Sequence, residues 1–243
     1  MRETTTIAGD DPLALEVAGS IRAGDVGRLQ QLLAEHPELA RAQIADPACD
    51  DTRSLLHIAA DWPGHLRNGP DVVQTLVAAG CDVNARGSGR ITETPLHWAA
   101  SSDDVEVLDA LLDAGADIDA GGAVIARGTP LEDAVAFGQW NAARRLVERG
   151  AAVTFREAAA LGLVDVVAAQ LGDTPAEDIS MAFWYACHGG RRATAEPLLR
   201  AGADIDWVAP WDGLTPLDAA LRSDADELAS WLMSRGARAA DAG

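Results

Sequence analysis

Five side chains carry the elements of acid–base or metal chemistry: Asp61, His65, Asp103, Asp104 and His188. A histidine beside a carboxylate is the minimum for general acid–base work, and His/Asp sets also ligate divalent metals. None of the five follows the close helical spacing of an HExxH motif, and the chain has no GxSxG, glycine-rich phosphate loop or nucleotide-binding βαβ unit. Cys187 precedes His188 directly, but adjacent residues on a helix point about 100° apart, so adjacency makes no nucleophile–base pair. Cys49, Cys81 and Cys187 are odd in number, widely spaced and without a CxxC. They support neither a disulfide framework nor a structural zinc site. The expectation is no catalytic residue, no metal site and no cofactor.

Binding chemistry is better represented. Arg86 and Arg90 stand close together on one segment, and two guanidinium groups can hold a carboxylate or phosphate bidentately. Trp62, Trp207 and Trp211 offer the rigid aromatic area that often anchors an interface. These groups sit on an acidic chain of 243 residues, in which 38 Asp and Glu face 19 arginines and no lysine, for a formal charge of −19 at pH 7. That balance argues against a nucleic-acid backbone or an anionic membrane as partner, and it can steer a basic one. With 48% hydrophobic residues the chain has the material for a substantial core. No segment approaches the roughly 18 to 20 apolar residues of a membrane span, and the first ten residues have no signal-peptide character. A reduced, soluble, cytoplasmic protein is expected; the sequence sets no oligomeric state.

The elements that must position these residues follow a repeat. Thr94-Pro95-Leu96 recurs as Thr129-Pro130-Leu131 and again as Thr215-Pro216-Leu217. Gly80-Cys81-Asp82, Gly115-Ala116-Asp117 and Gly150-Ala151 keep a 35-residue period, and the motif recurs at Gly202-Ala203-Asp204 and Gly236-Ala237, 34 residues apart. Threonine can cap a helix that starts with proline, whose missing N–H is no loss at the first position. Small residues such as Ala99 and Ala100 allow close helix approach, and the glycine supplies the positive-φ helix end. One such helix pair leaves apolar faces exposed, and stacking covers them.

Thr94-Pro95-Leu96-His97-Trp98-Ala99-Ala100 through Leu111-Leu112-Asp113-Ala114-Gly115-Ala116-Asp117 resembles the ankyrin repeat family. The resemblance implies an all-α solenoid of about seven helix pairs over residues 11–238, with short β-like fingers and a tail at 239–243. It also implies that His57 and His97 hold the turn network together by hydrogen bonds, and that Trp184 replaces this histidine one unit before the last. The family recognises partners through finger tips and the ends of the first helices. Carried onto this chain, that surface comprises Asp61, Trp62, Ser101, Ser102, Phe137 and His188, with Arg86, Arg90, Val124, Ile125, Arg127, Trp207 and Trp211 on fingers. The implied function is recognition of another protein. The alternative is a small-molecule site or an enzyme active site grafted into the same groove.

Departures from the pattern carry their own expectations. The connection from Asp61 to Gly69 is five residues longer than its counterpart in the next unit and should project as a loop. There Trp62, His65 and Arg67 would fill or gate the end of the groove. Only Ala151 to Thr154 separate Gly150 from Phe155, too few for a finger. Pro197 should kink its helix or delay the helix start. Leu96 and Leu111 occupy recurrent apolar positions of the clearest unit. Replacing either with alanine is expected to lower unfolding free energy by about 2–5 kcal/mol; unchanged chemical-denaturation midpoints in both variants would remove them from the core.

Overall fold

Threonine and aspartate caps set where half of the helices begin. The computed structural model describes residues 5–123 and 127–240, and its chain divides into two compact units, Met1–Ala151 and Ala152–Gly243. Fourteen α-helices lie among the described residues, so the fold is an all-α repeat fold with few strands.

In the first unit α1 (Pro12–Ala23) packs on α2 (Val26–Glu35), α3 (Leu55–Ala59) on α4 (Gly69–Ala78), α5 (Pro95–Ser101) on α6 (Val105–Asp113), and α7 (Pro130–Ala136) on α8 (Trp140–Glu148). Asp11 accepts the Leu13 N–H at 2.8 Å and Asp25 that of Arg28 at 3.0 Å, satisfying N–H groups a helix start leaves open. Thr94 and Thr129 form capping boxes with His97 and Glu132, each followed by proline. Leu96, Leu108, Leu111, Leu131 and Leu146 are fully buried between these helices.

The first extended excursion is a true β-hairpin. Strands β2 (Gln43–Ala45) and β3 (Thr52–Ser54) pair antiparallel, and β1 (Thr6–Ala8) joins β2 in parallel. The compact unit therefore takes in residues N-terminal to Asp11, a pairing that a segment as short as Thr6-Ile7-Ala8 does not announce.

The second unit contains α9 (Phe155–Leu161), α10 (Val164–Gln170), α11 (Ala176–His188), α12 (Arg192–Arg200), α13 (Pro216–Arg222) and α14 (Asp226–Ser234). Helix α11 is longer than its neighbours and packs against α9, α12 and α13. Phe183, Cys187, Leu198, Leu228 and Leu232 lie in its core. Helix α12 runs through Pro197, so the helix is not delayed to that residue. Between α8 and α9 the chain has no secondary structure and no room for a finger. At the C-terminus the Ala240 N–H bonds Asp218 at 2.8 Å and Arg238 holds Asp206, so the described part of the tail is attached.

The long connection between α3 and α4 does not project. The His65 N–H donates to the Asp104 carboxylate, and the Asn68 amide donates to the Gly24 carbonyl at 3.0 Å. The segment is thereby held to the inter-helix turns before and after it. Gly64 is buried, and a Cβ there would press on Ser102 and Asp104. The five extra residues are a clasp across three successive turns, from which the Trp62 ring stands out, 77% exposed.

Asp104 is buried and also caps α6 through the Val107 N–H at 3.1 Å. Asp104→Ala is expected to cost about 1–3 kcal/mol, from a lost cap and a lost tie to the clasp. The same change should speed proteolytic cutting within residues 60–68, measured by limited digestion. Unaltered stability and digestion would mean that the connection is a free loop after all.

Candidate functional site

In three repeats the end of the first helix and the finger that follows are fixed by a ring-to-backbone hydrogen bond. His57 Nδ1 accepts the Ser54 N–H at 3.2 Å, leaving Nε2–H to donate to the Glu93 carbonyl at 3.1 Å in the next repeat. His97 repeats this geometry, accepting from the Thr94 N–H at 3.1 Å and donating to the Gly128 carbonyl at 3.3 Å. Both imidazoles are fully buried, and burial depresses each to about 4, so they stay neutral at pH 7. Their role is architectural.

In the second unit Trp184 holds the corresponding position and makes the same bond with an indole, Nε1–H to the Leu214 carbonyl at 3.1 Å. Leu214 O also closes its own finger by accepting the Ala209 N–H at 3.0 Å. Gly128 O does the same for Ala123 at 3.1 Å. An indole is larger than an imidazole, and its extra ring becomes a platform. Trp211 meets Trp184 edge-on with centroids 5.1 Å apart, Tyr185 lies 5.9 Å from Trp211, and Trp207 lies 5.6 Å from it. His188 stacks on Trp184 at 5.4 Å and Arg222 lies over the same indole at 5.6 Å. The Arg222 guanidinium is further placed by Asp212 at 2.8 Å. Trp211 is 48% exposed and Trp207 half-buried, so the cluster offers aromatic area already immobilised by its neighbours.

In the first unit Trp62 and Phe137 are exposed at the ends of α3 and α7, while Asp61 is half-buried and paired with Arg53 at 3.4 Å. Ser101 donates its hydroxyl to Trp98 O at 3.1 Å, and its own carbonyl accepts from Gln139. On the fingers, Arg90 donates to Asp51 through its backbone and guanidinium, holding that carboxyl down to about 2. Arg86 donates to the Thr92 carbonyl, and it lines with Arg127 a cleft between two fingers. Val124 and Ile125 lie outside the described residues.

The comparison with protein families agrees with this repeat geometry: residues 56–157 match the family of ankyrin repeats, in three copies. Residues 56–157 are ankyrin repeats. No curated protein matches the chain.

Several of the residues expected on the ankyrin recognition surface stand elsewhere. Ser102 is buried beneath the clasp, and His188 is buried under Trp184 beside Ser223, 3.5 Å from its Nδ1. The Arg86–Arg90 pair does not act together, because Asp51 engages Arg90. Asp103 and Asp104 hold backbone amides, Asp103 taking the Ala142 N–H at 2.7 Å. Cys187 is fully buried, and burial raises its thiol well above the usual range, so it supplies no thiolate. Among the described residues no three His, Cys, Asp or Glu side chains are placed to hold a metal ion, and no helix is long and apolar enough to cross a membrane. In the sequence Trp184 is simply the replacement of the joint histidine; the signal of its larger role is a tryptophan at that position, followed by two more tryptophans on the next finger.

The buried histidines give the fold an acid sensitivity of definite sign. Their folded pKa values lie below the unfolded value, so between pH 6.5 and about 4 the unfolded chain binds protons that the folded chain refuses. Their stabilising effect is present above pH 6.5 and is lost on acidification, by up to about 3 kcal/mol for each ring. His57→Gln and His97→Gln do not titrate and are expected to flatten the fall of the denaturation midpoint from pH 7 to 5. An equally steep fall in the double variant would assign the sensitivity to other groups.

Proposed function

We propose that the chain, read as one repeat domain over residues 11–238, recognises another protein, and that the aromatic cluster around Trp211 is its principal contact. Ankyrin repeats are in general protein–protein interaction modules. The observation that carries the reading is Trp211 itself, half exposed and held by Trp184, Tyr185 and Trp207. Aromatic side chains of this kind dominate binding energy where they are rigid, since little ordering remains to oppose association. The other site residues proposed here are Trp62, His65 and Phe137, exposed on the first unit and fit for a secondary contact. The chain's net negative charge favours a partner with a basic face. All three cysteines are unpaired, which supports a reducing, cytoplasmic setting.

The test compares proteins recovered by wild type and by Trp211→Ala from the native cytoplasm, followed by calorimetry with the partner so obtained. Trp211→Ala is expected to weaken affinity by about 1 kcal/mol or more. Trp184→His keeps a ring donor for Leu214 O while removing the platform, and should also weaken binding with helicity retained. Equal affinity of folded Trp211→Ala and wild type would remove the aromatic cluster from the function.

A further inference from the structure

Outside the aromatic cluster, the first unit holds a cleft of about 410 Å³ between two successive fingers, with Arg86 and Arg127 on its walls. On a chain with twice as many acids as arginines, both guanidinium groups stand without an ion pair among the described residues. Arg90, on the same finger, is paired with Asp51 and leaves the neighbouring arginine unneutralised. Arg86 uses one of its five N–H donors on the Thr92 carbonyl, which fixes the guanidinium at the cleft.

The backbone is shaped around these two side chains. Gly87, Gly89, Gly121 and Gly122 line the cleft, so much of its wall is bare main chain. Gly122 has φ +126, and a Cβ there would collide with Arg86 Nη1 and the Thr92 carbonyl. Thr92 Oγ1 donates to Gly122 O at 2.7 Å and locks the two fingers together at this point. Arg127 has φ 57, a left-handed conformation that glycine adopts without cost and arginine does not.

We infer that the cleft between Arg86 and Arg127 is a binding site for a phosphomonoester group. Two uncompensated positive charges match a dianion, and phosphomonoesters carry about −1.5 to −2 at pH 7. A carboxylate would neutralise only one of them. Guanidinium groups lining one cleft from two fingers suit the several oxygens of a phosphate, which accepts donors from more than one direction. The site is independent of the Trp211 cluster: it lies wholly within Met1–Ala151, and Trp211 lies in the other unit.

The test uses the full chain at fixed ionic strength, titrated separately with N-acetyl-phosphoserine amide, inorganic phosphate and acetate. Binding is read by calorimetry and by the backbone amide resonances of Gly87, Gly89, Gly121 and Gly122. Saturable shifts at those glycines are expected, with affinity weakened about tenfold or more in Arg127→Gln and in Arg86→Gln. Arg127 makes no hydrogen bond or ion pair through its guanidinium among the described residues, so its variant keeps the test readable even if Arg86→Gln loosens the finger. Tighter binding of the phosphoserine amide than of inorganic phosphate identifies a peptide-borne group, and the reverse order a free phosphate. Acetate binding as tightly as both phosphates, no shift at the glycines, or full affinity in Arg127→Gln would overturn the assignment.

Discussion

A ring N–H reaching the carbonyl before the next helix cap ties neighbouring repeats together in both compact units. His57 to Glu93 O, His97 to Gly128 O and Trp184 to Leu214 O are one interaction made by two kinds of ring. Each carbonyl ends a finger, and the following residue is the threonine that caps the next helix. Finger, cap and helix are thereby placed by a single bond. Its loss would leave a backbone acceptor without its partner at a cost of about 1–3 kcal/mol. For the imidazoles the bond requires the neutral Nε2–H form, because Nδ1 is occupied by the N–H of Ser54 or Thr94. Acid therefore attacks the array at the joints that set its geometry.

What the sequence reveals of this fold divides along contact distance. The capping boxes at Thr94, Thr129 and Thr215 involve residues three apart, and the repeat displays them three times over. The missing finger between Gly150 and Phe155 is legible from chain length alone. Strand β1 is not, since its pairing with β2 joins Thr6 to Gln43 across an intervening helix pair. Nor is the clasp of residues 60–68: its length suggests an excursion, while its ties to Gly24 and Asp104 lie about 40 residues away in either direction. The candidate site follows the same rule. Trp207 and Trp211 are visible as finger residues, but their collection on Trp184 depends on a side-chain size at a position read as structural. Arg90 looks available until Asp51, 39 residues earlier, is found beside it.

Acidity, which in composition looks like a surface property, is in part structural. Asp11, Asp25 and Asp104 cap helices, and Asp103 holds the Ala142 amide of the next repeat. Asp109 receives both Arg145 and Arg149, at 2.9 and 2.6 Å, joining α6 to α8. Exposed ion pairs contribute little singly, so the value of such a pair lies in fixing register between helices that apolar packing already holds. Once these aspartates are assigned, the arginines sort themselves. Several that pair do so with a carboxylate of an adjacent repeat or turn.

The position of the aromatic surface follows from the joint it grew on. An imidazole at that joint is consumed by it: His57 and His97 are wholly enclosed and present nothing outward. An indole satisfies the same carbonyl with Nε1–H and has a second ring to spare, against which Trp211 and Tyr185 settle edge-on. The aromatic area exposed at Trp211 is thus ordered by folding itself. This couples stability and the exposed aromatic surface in one residue. A substitution of Trp184 that abolishes both bond and platform removes the finger's anchor along with the surface, whereas the family's own histidine separates the two. The structural position sets where the aromatic surface must be, and the size of the ring decides that there is such a surface at all.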